Sequence, residues 1–139
     1  MAEPVDAVAL TSIHGEADNG AQAGFNAPVS DPSTLPIRVS IRLDLASGGK
    51  VGPGKIALLE AIAETGSIAA ASRALGMSYP RAWGLVEALD AAIGAPVVTR
   101  APGGQKGGGA ALTAIGRALI ARYREVEAAA QREAGPPPG

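Results

Sequence analysis

Three short helical patterns, each closed by glycine and two of them opened by serine, restrict the fold more than anything else in the chain. Ile56-Ala-Leu-Leu-Glu-Ala-Ile-Ala-Glu-Thr-Gly66 is followed by Ser67-Ile-Ala-Ala-Ala-Ser-Arg-Ala-Leu-Gly76, and then by Met77-Ser-Tyr-Pro-Arg-Ala-Trp83 running on to Gly94. Glycine just past a helix supplies the left-handed residue that ends it, and a serine oxygen accepts from the exposed N–H groups of the next. The gap between Leu75 and Ser78 is too tight for antiparallel packing, so the second and third helices are expected to cross steeply. That crossing lets one helix brace a DNA backbone while the next enters the major groove.

Spacing assigns the inward positions. The first helix, about 54–65, offers Ile56, Leu59, Ile62 and Ala63. The second, about 67–75, offers Ile68, Ala71 and Leu75, and the third, about 78–93, offers Ala82, Val86, Leu89 and Ile93. Pro80 falls in the first turn of the third helix, where no internal hydrogen bond is lost. Upstream, Ile37, Val39, Ile41, Leu43 and Leu45 alternate with Arg38, Ser40, Arg42 and Asp44, the period of a half-buried strand over 37–45. Ala46-Ser-Gly-Gly49 turns the chain, with Lys50-Val51 as a short return strand. Downstream, residues 96–100 read as a strand, 101–109 as a mobile glycine-rich loop and 110–112 as the returning strand, which together form a wing. Thr113 caps a long helix, about 114–133, whose Ile115, Leu119, Tyr123, Val126 and Ala130 form an apolar stripe. Twenty residues make a rod of about 30 Å, long for so small a domain to bury alone, and a two-helix dimer seam is the expected use. The fold class is mainly α with small β: a winged helix–turn–helix with an N-terminal strand or hairpin and a long C-terminal dimerisation helix.

Charge is segregated along the chain. The formal net charge is −1, yet residues 1–36 contain Glu3, Asp6, Glu16, Asp18 and Asp31 and no lysine or arginine. Residues 37–139 hold all 12 basic residues against eight acids. A modestly basic domain behind an acidic arm suits an anionic partner. The domain plan is a disordered acidic arm over 1–36, the winged helix–turn–helix over 37–112, the dimerisation helix over 113–134 and a disordered tail over 135–139. Only Phe25, Tyr79, Trp83 and Tyr123 are aromatic, which predicts a thin aliphatic core.

Several function classes are excluded. There is no cysteine for a disulfide or thiolate site, which fits a reducing cytoplasm. No apolar run approaches the roughly 20 residues that span a bilayer, and the N-terminus lacks a signal-peptide pattern, so a cytoplasmic protein without membrane contact is expected. His14 stands alone, whereas a metal site needs several convergent ligands. Gly49-Lys-Val-Gly-Pro-Gly-Lys55 matches a phosphate-loop spacing, but Ile56 stands where such a loop needs a Ser or Thr for Mg²⁺. With no nucleophile–base constellation, neither enzyme activity nor a cofactor is expected.

The run Ala63-Glu-Thr-Gly-Ser-Ile-Ala-Ala-Ala-Ser-Arg-Ala-Leu-Gly-Met-Ser-Tyr-Pro-Arg-Ala-Trp83 resembles the N-terminal DNA-binding domain of the ModE family of molybdate-responsive regulators, close kin of LysR-type regulators. The wing Thr99-Arg-Ala-Pro-Gly-Gly-Gln-Lys-Gly-Gly-Gly109 and Leu112-Thr-Ala-Ile-Gly116 extend the resemblance over about 37–130. The resemblance implies a homodimer on a palindromic operator, joined through the long helix by Ile115, Leu119, Tyr123 and Val126. It also places Ser78, Tyr79, Arg81 and Ala82 at the start of a recognition helix.

Candidate contacts to double-stranded DNA are Ser67, Ser78, Tyr79, Arg81, Arg100, Gly104, Gln105, Lys106 and Gly107. Arg81 suits either guanine O6 and N7 or a phosphate; Ala82 fits the core, and Trp83 fits packing better than a base edge. Arg100 and Lys106 flank the wing tip, within reach of a phosphate or the minor groove, and the glycines let the backbone approach closely. The chain ends at Gly139 without the C-terminal molybdate-binding barrels of full-length members, so molybdate binding is not expected of it. The expected function is a sequence-specific transcriptional regulator, possible roles in molybdate-related genes included. The alternative is a winged-helix module for protein–protein contact, suggested by Glu87 and Asp90 opposing Arg81.

Overall fold

The first helix begins at a proline and ends at a glycine for local reasons that the structure bears out. In the computed structural model, which describes residues 30–101 and 109–139, the chain divides into two units, Met1–Leu35 and Pro36–Gly139. The expectations for the arm over 1–29, and for the wing tip at Gly104, Gln105, Lys106 and Gly107, lie outside the described residues. In the first unit those residues hold one 3₁₀ turn, Pro32–Thr34, where Thr34 Oγ1 donates to the Asp31 carbonyl at 2.7 Å.

The second unit runs β1 (Leu43–Asp44), β2 (Lys50–Val51), α1 (Pro53–Thr65), α2 (Ile68–Ala74), α3 (Tyr79–Ile93), β3 (Val98–Arg100), β4 (Ala110–Leu112) and α4 (Ala114–Ala134). Two antiparallel pairs complete it, β1 with β2 and β3 with β4, the latter in the register Val98↔Leu112 and Arg100↔Ala110. This is the mainly helical winged helix–turn–helix that the sequence predicts. Pro53 opens α1, and Gly66 closes it at φ +80°, its N–H donating to the Ile62 carbonyl at 2.8 Å. Ser67 Oγ accepts the Ala70 N–H at 2.9 Å, and Ser78 Oγ accepts the Arg81 N–H at 3.2 Å, so both serine caps form.

The core lies where α1 meets α2, α3, α4 and β4, with Ile56, Leu59, Ile62, Ala71, Val86 and Leu89 buried. Two expected inward positions are instead exposed, Ala63 and Leu75. Leu58 and Ala61 are buried in their place on α1, because that helix is covered on more than one side. Leu75 stands at the C-terminal cap of α2 and is 39% exposed.

The expected strand over 37–45 is also corrected. Val39, Ile41, Leu43 and Leu45 keep the alternating burial, but only Leu43–Asp44 is paired as strand. The preceding backbone is held by α4: Tyr123 Oη donates to the Ile41 carbonyl at 2.9 Å, Gln131 Oε1 accepts the Val39 N–H at 2.9 Å, and Gln131 Nε2 donates to the Ile37 carbonyl at 2.7 Å. Side chains thus satisfy groups that a ladder would otherwise pair. The expected disordered tail carries two more ties, from Gln131 to Gly135 and from Arg38 to Pro138.

Where α4 begins, the motif Leu112-Thr-Ala-Ile-Gly116 forms a tight junction. Thr113 N–H donates to the Val97 carbonyl at 3.0 Å, and Thr113 Oγ1 donates to the Pro96 carbonyl while accepting the Gly116 N–H. A Cβ on Gly116 would stand 2.3 Å from the Val97 oxygen, an impossible approach. Gly84, in the middle of α3, would meet nothing within 4 Å. Gly116→Ala is therefore expected to destabilise by about 1–3 kcal/mol through overpacking. Gly84→Ala should stabilise by about 0.5–1 kcal/mol through helix propensity. Urea denaturation of both variants checks the opposite signs.

Candidate nucleic-acid interface

The tight turn at Gly76–Met77 brings the capped start of α3 out beyond the core. Ala82, Val86 and Leu89 face inward, while Tyr79 (47% exposed), Pro80 and Arg81 project from the first turn. Gly84, Ala88 and Ala91 continue the exposed side, so the outer face of α3 has few long side chains to hold a partner away. Both capping serines use an oxygen lone pair, and among the described residues neither hydroxyl donates to protein, which leaves each a donor for an incoming acceptor.

Arg81 has no hydrogen-bonded or ionic partner for its guanidinium among the described residues. The two acids set against it in the sequence behave differently. Glu87 is exposed, but Asp90 is half-buried and its Oδ1 accepts the Val97 N–H at 2.9 Å. Asp90 is thus a structural acceptor for the turn leaving α3, which spacing along the helix did not reveal.

The wing joins this face at its root. Ala110 N–H donates to the Gly66 carbonyl at 2.8 Å, and Ala101 N–H donates to the Gly109 carbonyl at 2.9 Å, so β4 leans on the turn between α1 and α2. Arg100 is the last residue of β3, paired across to Ala110. It therefore stands on the paired strands of the wing, in the last pair before the loop. Its guanidinium carbon lies 3.9 Å from the centroid of the Trp83 ring, and Tyr79 meets the same ring edge-on at 6.1 Å and 77°. Trp83 is half-buried and packs against the core, as expected, but also serves as the platform for Arg100. Its spacing of four from Tyr79 was the only sequence hint of a cluster; the approach of Arg100 depends on the wing. Tyr79 and Arg100 line one cleft with Trp83, Ile68 and Ala69, and the half-buried Ser67 caps the helix that carries the last two. Arg81 lies about 200° round α3 from Tyr79, on the other flank of that helix.

The proposed seam on α4 divides. Tyr123 is fully buried in its own chain and spends its hydroxyl on Ile41; burial, aided by the charge of Glu127, raises its phenol pKa. It belongs to the protomer core. At about 100° per residue, Ile115 and Val126 lie about 80° and 60° round the helix from it. Ile115 is 42% exposed, and Leu119 and Val126 are half-buried. Arg124 bridges Glu60 of α1 and Glu127 at 2.7 Å each, and those hydrogen bonds raise its pKa further. Lys55 of the phosphate-loop lookalike donates to the Lys50 carbonyl at 2.7 Å, and Ile56 is fully buried. Among the described residues no group of three or more His, Cys, Asp or Glu side chains is placed to hold a metal ion, and no helix is long and apolar enough to cross a membrane.

Residues 54–117 match the bacterial regulatory helix–turn–helix proteins of the lysR family. Over those residues the chain is a LysR-type helix–turn–helix domain. It is 52% identical over 82 residues to the molybdenum-pterin-binding protein MopB of Rhodobacter capsulatus, covering 59% of this chain and 30% of that protein. Molybdenum-pterin-binding protein MopA of the same organism is 42% identical over 100 residues, 72% of this chain and 38% of its own length. The molybdenum transport protein ModE of Azotobacter vinelandii is 39% identical over 85 residues, 61% and 32% of the two chains. The chain thus aligns with about a third of the length of these relatives. The LysR-family match runs from the second residue of α1 to beyond β4 and so includes the elements that carry Arg81, Trp83 and Arg100.

The different roles of Asp90 and Glu87 are measurable. Asp90→Ala leaves the Val97 N–H without its acceptor and is expected to destabilise the domain by about 1–3 kcal/mol. Glu87→Ala, at an exposed site, should stay within about 0.5 kcal/mol of the parent in the same denaturation assay.

Proposed function

We propose that the protein is a sequence-specific DNA-binding transcriptional regulator that sits on its operator as a homodimer. The observation that carries this is the LysR-family domain presenting the exposed start of α3, with Arg81 unpaired among the described residues, beside the wing root. In this reading α3 enters the major groove, the wing lies along flanking backbone, and the two recognition helices of the dimer stand about 34 Å apart. Arg81 reads a base edge. Ser67, Ser78, Tyr79, Arg100 and the wing tip, Gly104, Gln105, Lys106 and Gly107, supply backbone contacts that set the register. The protein acts by binding in the cytoplasm rather than by catalysis.

The names of the relatives support molybdenum-related target genes, and promoter DNA from a molybdate-transport operon is the first probe. Anisotropy titrations at two salt concentrations should show tight binding that weakens steeply with salt, by about 0.9 in log–log slope for each phosphate contact. Molybdate should leave this chain's affinity unchanged. Arg81→Ala should cost about 1–3 kcal/mol on the operator and much less on random DNA. Salt-indifferent association would favour a protein-docking module instead, and equal losses on both duplexes would make Arg81 a phosphate contact.

Dimerisation is assigned to the side of α4 that carries Ile115, Leu119 and Val126. Because Ile115 is exposed in the single chain, Ile115→Glu is expected to leave the folding midpoint nearly unchanged while shifting sedimentation equilibrium towards monomer. A variant that stays dimeric moves the seam elsewhere.

A further inference from the structure

Between α3 and the wing root lies a cleft of about 260 Å³, lined by Ile68, Ala69 and Ala110 together with Tyr79, Trp83 and Arg100. A duplex that takes α3 in its major groove and the wing at the adjacent minor groove passes the intervening sugar–phosphate strand across the space between them. The apolar part of the cleft suits a deoxyribose. Its cation is Arg100, and among the described residues no carboxylate pairs with it. A guanidinium stacked through its face keeps its in-plane N–H groups available to phosphate oxygens. Without the indole, an arginine at the end of a strand loses its rotamer freedom on meeting a phosphate; the stack removes that loss beforehand.

We propose that Trp83 is a positioning residue for DNA: it holds Arg100 over the cleft, where the guanidinium clamps the phosphate strand between the two grooves. This rests on the DNA-binding reading above and deepens it. Tyr79, edge-on to the indole, steadies the platform from the recognition helix. Trp83 itself touches no base, so its contribution is to affinity and not to sequence choice.

The test uses the full chain, a random-sequence duplex and an operator selected from a random library. Arg100→Ala should weaken binding to both by the same factor and lower the salt slope by about 0.9 per subunit. Trp83→Leu should weaken both by about three- to thirtyfold, the worth of a cation–π contact, and should add nothing in the Arg100→Ala background. Trp83→Phe should retain most of the affinity. Arg100→Lys keeps the charge but not the planar stack and should fall with Trp83→Leu; it leaves the indole in place, so it decides the matter even where Trp83→Leu does not fold. Trp83 is the chain's single tryptophan, so its emission should change when DNA binds, and this change should vanish in Arg100→Ala. Unchanged affinity in folded Trp83→Leu or in Arg100→Lys overturns the inference, as does additivity of the two losses or a loss confined to the operator. A parent chain with no salt-sensitive DNA binding overturns the regulator reading itself, whatever the variants do.

Discussion

Everything in the domain is arranged around the enclosure of α1. Ile56, Leu58, Leu59, Ala61 and Ile62 are all buried, and at 100° per residue they cover an arc of about 220°. A helix apolar over so wide an arc has too little polar face to lie on a surface. It has to be surrounded, and α2, α3, α4, β2 and β4 all pack against it. Tyr123 is the only aromatic residue in the buried core of the described residues, so this enclosure falls to aliphatic side chains. Each fully buried Leu or Ile contributes about 1.5–3 kcal/mol relative to exposure. The crossing of α2 and α3, and hence the way the recognition helix projects, follows from which side of α1 each must cover.

What was legible in the sequence is what local chemistry decides. Serine oxygens at Ser67 and Ser78, the glycine ends at Gly66 and Gly94 and the threonine at Thr113 act within four residues of themselves, and each acts as its residue type predicts. The features that escaped are long-range. Period-two burial survives at 39–45, but strand pairing is replaced by Tyr123 and Gln131, which lie 82 and 92 positions away from the backbone they hold. One stripe of spacing on α4 contains two faces, so Tyr123 parted from Ile115 and Val126. Asp90 looked like a charge on the recognition face because nothing local shows that the chain returns over it at Val97. The approach of Arg100 to Trp83 is of the same kind, since it exists only once the wing is folded.

The charge tally of the domain also changes meaning once partners are known. Arg124 is held between Glu60 and Glu127, Arg42 pairs with Asp44, and Arg38, Lys55 and Arg117 donate to backbone carbonyls. These cations stitch the fold, and surface pairs of this kind are worth only about 0–1 kcal/mol each. Their main effect is to take positive charge out of play away from the recognition face. Arg81 and Arg100 have no such partner among the described residues. A small net charge therefore coexists with uncommitted guanidinium groups, among them one on α3 and one on β3.

Those two groups sit on different elements, and that division has a physical use. Contacts to phosphate fix register but carry little sequence information, while base-edge contacts carry information but need register fixed first. Arg81 rides on α3, and Arg100 rides on β3. The two elements are linked by the indole of Trp83, and β4, paired with β3, is tied to the turn between α1 and α2 by the hydrogen bond from Ala110 to the Gly66 carbonyl. A site carried on helix and strand, with its side chains locked by packing, holds its geometry better than one carried on a loop. Under the proposed reading, the wing root is a second rigid jaw rather than a flexible arm: a phosphate seated on Arg100 sets where along the groove Arg81 arrives. The separation between the reading arginine and the anchoring one is then set by α3 and β3 alone.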